Sequence, residues 1–322
     1  MPEVYYFESL DDSLLNKLRQ ELEKAFHGCR RIAVKLHFGE PGNKTAFSPE
    51  QVKPIINVLK GLGMKYFLFD SPVTYPSRRS SVSSYEEYAK EKGWDRLGDV
   101  VISDDFVVVK GNSMDYEVCK PLAEADGVLV ISHFKGHCCA GLGGAIKNLG
   151  MGALTKKTKS EIHEGARPVI GDGCVQCKAC ERACPINGIR VTDKPEIIKC
   201  YGCSNCVYAC KKGVLKCKVN YFDVLLAEGA NAAQSKFKKF YYVSCLKNIT
   251  RLCDCVKNAG ELISEDWGWL ISKDAVAIDR AAYDLVTRDE DVFLKYNKKS
   301  GTEQVKAAEK LGMGSSEYVL AE

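Results

Sequence analysis

The sequence predicts an α/β fold: a mostly parallel sheet with helices on both faces, interrupted by a small two-cluster ferredoxin-like insert. Short apolar segments alternate with segments of helical periodicity, which is typical of a sheet covered by helices. Residues 127–132, Gly-Val-Leu-Val-Ile-Ser, are apolar almost throughout, as in a strand buried on both faces. Residues 174–210 break this alternation because they hold eight of the sixteen cysteines. We therefore predict a discontinuous α/β domain, residues 1–168 and 218–322, around an insert at 169–217.

Periodicity and end signals predict the individual elements. Residues 12–26 carry leucines at helical spacing, which favours a helix. Ser48, followed by Pro49 and Gln51, is a helix-start signature, and Pro54 should bend the helix that follows. By the same patterns we assign strands to residues 3–7, 31–37, 65–70, 99–102, 106–110 and 239–244, and helices to residues 82–92, 218–235, 274–286 and 301–311.

The cysteine-rich stretch contains two copies of one spacing, Cys-x2-Cys-x2-Cys-x3-Cys. This is the spacing of bacterial ferredoxins, in which three thiolates of one copy and the fourth of the other bind each [4Fe–4S] cluster. The first copy ends in Pro185, as in that pattern, whereas Lys211 follows the second. Two zinc sites are the alternative, although zinc does not require cysteines at all these offsets. The predicted ligand sets are Cys174, Cys177, Cys180 and Cys210, and Cys200, Cys203, Cys206 and Cys184.

Composition and charge narrow the function classes. The chain has 322 residues, 45% hydrophobic and 27% charged, as in a soluble globular protein, and it contains no apolar run of about 18 residues that would span a membrane. Its net charge of +4 is offset by about −4 from two clusters with their thiolates, so we expect no nucleic-acid partner. We expect the lysines at 156, 157 and 159 to lie in a solvated loop. With no export signal and oxygen-sensitive clusters, we expect a cytoplasmic protein of an anaerobe.

A glycine-rich stretch, residues 133–152, is the second informative segment. Its glycines let the backbone approach a ligand closely, and amides at the start of the following helix would suit an anion. It is neither a P-loop nor a Rossmann fingerprint. The alternative is a glycine-rich segment that packs a helix against the sheet. The candidate cofactor-binding residues are Gly141, Gly143, Gly144 and Asn148.

Polar residues follow three of the predicted strands, at His37, at Asp70 and in the run that begins at Ser132. Working sites of α/β sheets collect at the carboxyl ends of the strands, so we expect these residues to converge. The histidines and lysines there could transfer protons or pair with a ligand carboxylate. The candidate catalytic residues are His37, His133, Lys135, His137 and Lys147.

Eight cysteines lie outside the two copies. Cys253 and Cys255 flank one residue and are candidate metal ligands, with Cys245 or a histidine to complete the set. The alternative is a pair of buried thiols, which is also our expectation for Cys138 and Cys139.

Four segments resemble the domain-of-unknown-function family numbered 362: VKLHFGEPGNKT (34–45), HFKGH and GLGGAIKNLGMG within 133–152, CDC (253–255) and SKDAVAIDRAAYDLV (272–286). Members of this family are often described as iron–sulfur or ferredoxin-like proteins. The resemblance implies an α/β domain with an electron-transfer module, and it implies no settled reaction.

Three function hypotheses follow. In the first, the chain is an oxidoreductase that takes low-potential electrons from a carrier protein and reduces a small molecule, a flavin or an extra metal near residues 133–152. In the second, it is a ferredoxin-type subunit that docks on a redox partner. In the third, its surplus cysteines serve metallocofactor maturation or delivery. A homo-oligomer is left open. No dinucleotide fingerprint, nucleophile elbow or HExxH motif supports a dehydrogenase or a hydrolase.

Overall fold

The computed structural model describes residues 1–321. Its strands are β1 (Glu3–Phe7), β2 (Ile32–Lys35), β3 (Tyr66–Asp70), β4 (Val100–Ile102), β5 (Phe106–Lys110), β6 (Asp115–Cys119), β7 (Gly127–His133), β8 (Lys135–His137), β9 (Gly141–Gly143), β10 (Pro168–Ile170), β11 (Ile189–Val191), β12 (Pro195–Ile197), β13 (Leu215–Cys217), β14 (Phe240–Leu246), β15 (Gly268–Ser272) and β16 (Val319–Ala321). Its α-helices are α1 (Asp12–Ala25), α2 (Pro49–Gly61), α3 (Val82–Glu91), α4 (Lys120–Ala123), α5 (Ala145–Gly152), α6 (Lys156–Gly165), α7 (Ala179–Ala183), α8 (Asn205–Tyr208), α9 (Phe222–Gln234), α10 (Ala275–Val286), α11 (Val292–Asn297) and α12 (Thr302–Lys310).

Eight strands form one sheet in the order β16-β1-β15-β14-β7-β2-β3-β4. Neighbouring strands are parallel except around β15, which runs antiparallel to both β1 and β14. The mainly parallel α/β fold predicted from the sequence is therefore confirmed. None of the described helices is both long and apolar enough to cross a membrane.

Apolar cores cover both faces of the sheet, and β7 shows why. Val128 and Val130 point into one core with α5, α9 and α10, whereas Leu129 and Ile131 point into the other with α1, α2 and α3. Successive side chains of a strand face opposite sides, so a strand between two helical layers must be apolar at every position.

The helix-start signature at Ser48 is confirmed, whereas the expected loop at the three lysines is wrong. Ser48 and Gln51 form a capping box, and Pro54 lies inside the continuous helix α2.

The lysines begin α6, whose N-cap is Thr155, and Lys159 is buried there. Burial is tolerated because the Nζ of Lys159 donates to oxygens of Ser71 and Pro72.

Residues 168–217 form a small unit of two antiparallel hairpins, β10 with β13 and β11 with β12, and the short helices α7 and α8. Its core contains Cys180, Cys184 and Cys206 among a few apolar side chains. The proposed boundaries of a separate domain stay a prediction.

Candidate functional site

A cavity of about 160 Å³ lies where β2, β3 and β7 end. His37, Asp70, Ser132 and His133 all line it, so the predicted convergence of the strand ends is confirmed. Parallel strands bring their carboxyl ends to one edge of a sheet, and the loops that follow supply the wall. Five further predicted site residues line the cavity as well: His137, Gly143, Gly144, Lys147 and Asn148.

The start of α5 shapes one side of the cavity. The backbone N–H groups of Ala145 and Ile146 donate to Asp279, at 2.7 and 2.9 Å. A Cβ on Gly144 would lie 2.2 Å from the Asp279 carboxylate, which accounts for the glycine. The expectation that these amides bind a ligand anion is therefore wrong, because the chain's own carboxylate occupies them. Burial raises the pKa of Asp279 to about 7.

Helix α5 then directs Lys147 toward Cys253 and Cys255. Its Nζ lies 3.6 Å from the Sγ of Cys253 and 3.4 Å from that of Cys255. The interaction with Cys253 lowers the pKa of the Cys255 thiol, and Lys147 and His37 lower it further against the effect of burial. The pKa of Cys253 is raised by the interaction with Cys255 and by burial. The ammonium group of Lys147 therefore lies beside two thiols whose pKa values are shifted in opposite directions.

Asp254 fixes the loop between these cysteines. Its carboxylate lies 2.9 Å from the Nδ1 of His133 and 2.8 Å from the Nζ of Lys135. The His133 Nε2 donates to the carbonyl of Lys247, and Lys135 donates to both oxygens of Thr45. Although burial opposes it, His133 and Lys135 hold the pKa of Asp254 below its usual range. The structure thus places Lys135 behind the wall rather than on it.

Gly141 also lies away from the cavity. It packs against the backbone of Gly301 and Lys299 and has a positive φ. For Gly141 the structure therefore agrees with the alternative prediction, in which glycines of this stretch allow close packing of the chain.

Two histidines face the cavity with defined proton positions. The Nδ1 of His137 accepts from the backbone N–H groups of Cys139 and Ala140, so the ring proton lies on Nε2. Burial lowers the pKa of His137 well below its usual value and keeps the ring neutral. His163 lies on α6, and its Nδ1 donates to the carbonyl of Tyr201 at 2.8 Å. Burial also lowers its pKa.

Several charged residues of the cavity wall were not predicted from the sequence. Lys35 lies 3.2 Å from Asp70 and donates to Asn148, and both members of this ion pair are buried. Arg79 pairs with Glu40, which places a second cation in the wall. Lys159 has no carboxylate within ion-pair distance among residues 1–321, and burial lowers its pKa to about 8. The sequence signal for Lys35 was its position in an otherwise apolar strand, which indicates a buried charge.

One of the two cysteine sets predicted from the spacing gathers around a small cavity, and three cysteines of the other set lie near one another. Cys184, Cys200, Cys203 and Cys206 line one small cavity. Burial, with a smaller effect of the neighbouring thiols, raises the pKa of Cys206 to about 12. Burial raises the pKa of Cys180, and Cys210 and Cys177 add to this effect. Cys184 thus lies beside the three cysteines of the second copy and Cys210 near Cys180 of the first, and the crossed assignment of cluster ligands stays a prediction.

The backbone repeats itself around the two copies. Left-handed φ angles occur at three matching positions, namely Gln176 with Gly202, Lys178 with Ser204, and Asn187 with Gly213. The N–H of Gln176 also donates to the Sγ of Cys174, and the N–H of Gly202 donates to that of Cys200. Left-handed conformations at non-glycine residues are costly and mark functional loops. The donor set and these loops fit two [4Fe–4S] clusters.

No group of three or more His, Cys, Asp or Glu side chains that could hold a single metal ion occurs within residues 1–321. A four-iron cube differs from such a site, since it takes one thiolate on each iron.

The second cysteine loop touches the helix that carries His163. A Cβ on Gly202 would lie 1.9 Å from the carbonyl oxygen of His163, so only glycine allows this approach. The adjacent carbonyl of Tyr201 accepts from the His163 ring, which lines the cavity. One residue therefore connects the cysteine loop to the cavity.

Comparisons with known proteins give one family and distant structural likenesses. A stretch of 42 residues is 45% identical to an uncharacterized protein of Methanocaldococcus jannaschii, covering 13% of this chain and 17% of that one. A crystal structure of a Thermotoga maritima protein aligns with a TM-score of 0.41 and 11% identity, over 74% of this chain and 51% of that chain. The lactate racemase apoprotein of Thermoanaerobacterium thermosaccharolyticum aligns with a TM-score of 0.37 and 13% identity, over 75% and 50%.

This chain therefore spans about half of each solved protein. The model of the family described as "Domain of unknown function (DUF362)" matches residues 32–284, which include the strand ends, the glycine-rich stretch, both cysteine copies and Cys253 to Cys255. The chain belongs to the DUF362 family.

Proposed function

We propose that this protein is an oxidoreductase in which two [4Fe–4S] clusters relay electrons to a small molecule bound in the cavity at the strand ends. Each bound cluster would supply one electron at low potential. Cys174, Cys177, Cys180 and Cys210 would hold one cluster, and Cys200, Cys203, Cys206 and Cys184 the other. A soluble electron carrier is the expected protein partner.

The observation that carries this proposal is the contact between the second cysteine loop and the cavity wall. The Tyr201 carbonyl, one residue after Cys200, accepts from the ring of His163, and that ring faces the cavity. Electrons would then have a short path through packed protein from the cluster position to the bound molecule. The Nε2–H of the neutral His137 would donate a hydrogen bond to the bound molecule, whereas the ring proton of His163 is held by the Tyr201 carbonyl.

The charges of the wall favour a small anionic substrate. Lys35, Arg79, Lys147 and Lys159 contribute four basic groups, and within the described part of the chain Lys159 forms no ion pair with a carboxylate. Burial strengthens the attraction between a cation and an anion because the local dielectric constant is low. A volume of about 160 Å³ suits a small carboxylate. A concave cavity beside the cysteine loop, lined by several charged side chains, favours an enzyme over a subunit that only docks on a partner.

Anaerobic purification tests the cluster half of the proposal. We expect about eight irons and eight sulfides per chain, with reducible centres in EPR spectra after dithionite treatment. Cys206→Ser should lower the iron content to about four, because it removes one ligand of one cluster. Cys119→Ser, at a buried cysteine outside both sets, should leave the iron content unchanged. Zinc in place of iron, with no reducible centre, would refute the cluster assignment.

Reoxidation kinetics test the enzyme half. Dithionite-reduced protein, freed of excess dithionite, is mixed with a panel of small 2-oxo and unsaturated carboxylates, and the visible absorbance of the clusters is followed. We expect at least one carboxylate to reoxidise the protein, more slowly in the variant Lys159→Met. Lys157→Met, at an exposed neighbour, is the matched control. If no carboxylate reoxidises the protein faster than buffer does, this substrate class is wrong.

A further inference from the structure

Cys253 and Cys255 form a second group of thiols with a distinct environment. They flank Asp254 in one loop, and both line the cavity. The Nζ of Lys147 lies 3.6 and 3.4 Å from their two sulfurs. Lys147 is the side chain that reaches them from α5, whose start is fixed by Asp279. The arrangement joins two thiols and a cation at the wall of the cavity.

We propose that Cys253 and Cys255 are a redox-active pair that alternates between a dithiol and a disulfide, with Lys147 as the cation that stabilises the reduced form. An ammonium group beside a thiolate is the environment that distinguishes reactive cysteines from inert buried ones. Asp254 lies between the two cysteines and is held by His133 and Lys135. The backbone that carries both sulfurs is therefore fixed, which lowers the entropy cost of forming the disulfide.

The surroundings favour this role over metal binding. Cys245, the cysteine expected to complete a metal site, does not line the cavity. The ammonium group of Lys147 lies within hydrogen-bonding distance of both sulfurs and is the cation that compensates their negative charge. A metal ion would need to displace it, since two like charges at that position repel each other.

The reaction balances with two electrons and one proton. Reduction adds two electrons and breaks the S–S bond. Each sulfur then holds one more lone pair and is a thiolate until it binds a proton. One proton binds the Sγ of Cys253, and Cys255 stays a thiolate beside Lys147. This step rests on the proposed function for its electron source, because two [4Fe–4S] clusters supplying one electron each would deliver the two electrons needed.

Oxidation has a consequence for the cavity. Conversion of the thiol–thiolate pair to a disulfide removes one negative charge opposite Lys147. The buried ammonium group then lacks its counter-charge and becomes the partner for an anionic ligand. The oxidised cavity should therefore bind a small carboxylate more tightly than the reduced cavity.

The experiment is an anaerobic redox titration of the purified holoprotein in buffers of reduced and oxidised dithiothreitol. Free thiols are alkylated at each ratio, and mass spectrometry of the peptide spanning Cys253 and Cys255 measures the disulfide fraction. We expect this peptide to pass reversibly from dithiol to disulfide. Lys147→Met should shift the midpoint ratio about tenfold to a hundredfold toward the disulfide, because the thiolate loses a charge-assisted hydrogen bond. Lys157→Met should not shift it.

Two results would overturn the proposal. A peptide that stays fully reduced over the whole range, while the clusters titrate normally, removes the dithiol and leaves the proposed function standing. A metal ion that binds wild type and Cys245→Ser but is lost from Cys253→Ser would identify the pair as ligands. Conversely, a pair that titrates in protein without iron supports the dithiol independently of the proposed function, because dithiothreitol and not the clusters then supplies the electrons.

Discussion

Removal of the Asp279 carboxylate should loosen the helix that carries Lys147 and Asn148. The carboxylate is fully buried and accepts the first two N–H groups of α5, at 2.7 and 2.9 Å. Asp279→Ala leaves both donors without a partner, and each unsatisfied buried donor costs about 1–3 kcal/mol. Since water can enter the space of the lost carboxylate, we expect a loss of about 2–4 kcal/mol at pH 5.

The pH dependence provides a second signature. Burial raises the pKa of Asp279 from 3.8 to about 7, so between these values the folded state keeps a proton that the unfolded state has lost. Stability that is fully present below pH 3.8 is then lost as the pH rises through about 7. Asp279→Ala lacks this titration, so its deficit relative to wild type should shrink by on the order of 3 kcal/mol between pH 5 and pH 8.

Thermal unfolding of both proteins at the two pH values measures these effects. A loss of about 2–4 kcal/mol should lower Tm by roughly 4–10 °C at pH 5. Asp284→Asn, on the same helix in a partly exposed pair with Arg280, is the control and should cost less than about 1 kcal/mol. If Asp279→Ala lowers Tm no more than the control, or if its deficit is equal at both pH values, the carboxylate does not hold the start of α5.

Three further predictions concern the cysteine loops and the cavity wall. Gly202→Ala places a Cβ 1.9 Å from a carbonyl oxygen and should lower the iron content to about half, whereas Gly213→Ala, with a similar φ and open space, should keep full iron content. The free energy of unfolding of wild type, measured by urea titration, should rise between about pH 8 and pH 10.5, because Lys159 binds its proton more weakly in the folded state. Lys159→Met should lack this rise, and Lys157→Met should keep it. After a chelator removes the iron, proteases should cleave residues 169–217 before they cleave the large sheet. The reason is that metal binding supplies much of the folding free energy of so small a core. Simultaneous cleavage of both parts would contradict this prediction.

Some elements could be predicted because their causes are local. The capping signature of Ser48 depends on residues within one turn, and the apolar run at 127–132 reports burial on both faces directly. The helix of Lys159 was missed although Thr155 is a good N-cap, because three nearby lysines suggested solvent. Its partners, the oxygens of Ser71 and Pro72, lie almost ninety positions away in the chain.

The glycine-rich stretch shows the limit of local reasoning at the site. Its glycines predicted close approaches, and these occur, but the approaching groups are parts of the chain itself. Gly144 packs against Asp279, and the Asp279 carboxylate occupies the position at the start of α5 where the sequence predicted a ligand anion. Nothing near Gly144 in the sequence indicates a carboxylate that comes from a helix more than a hundred residues later.

By itself the sequence determined the α/β class, the repeated cysteine spacing and the strand ends that meet at the cavity. Periodicity, spacing and strand polarity are properties of neighbouring residues, so they can be recognised without coordinates. Only the tertiary structure placed Lys147 between Cys253 and Cys255, and His163 between the cysteine loop and the cavity. These contacts join distant segments, and their energies come from burial and charge that exist only once the chain has packed.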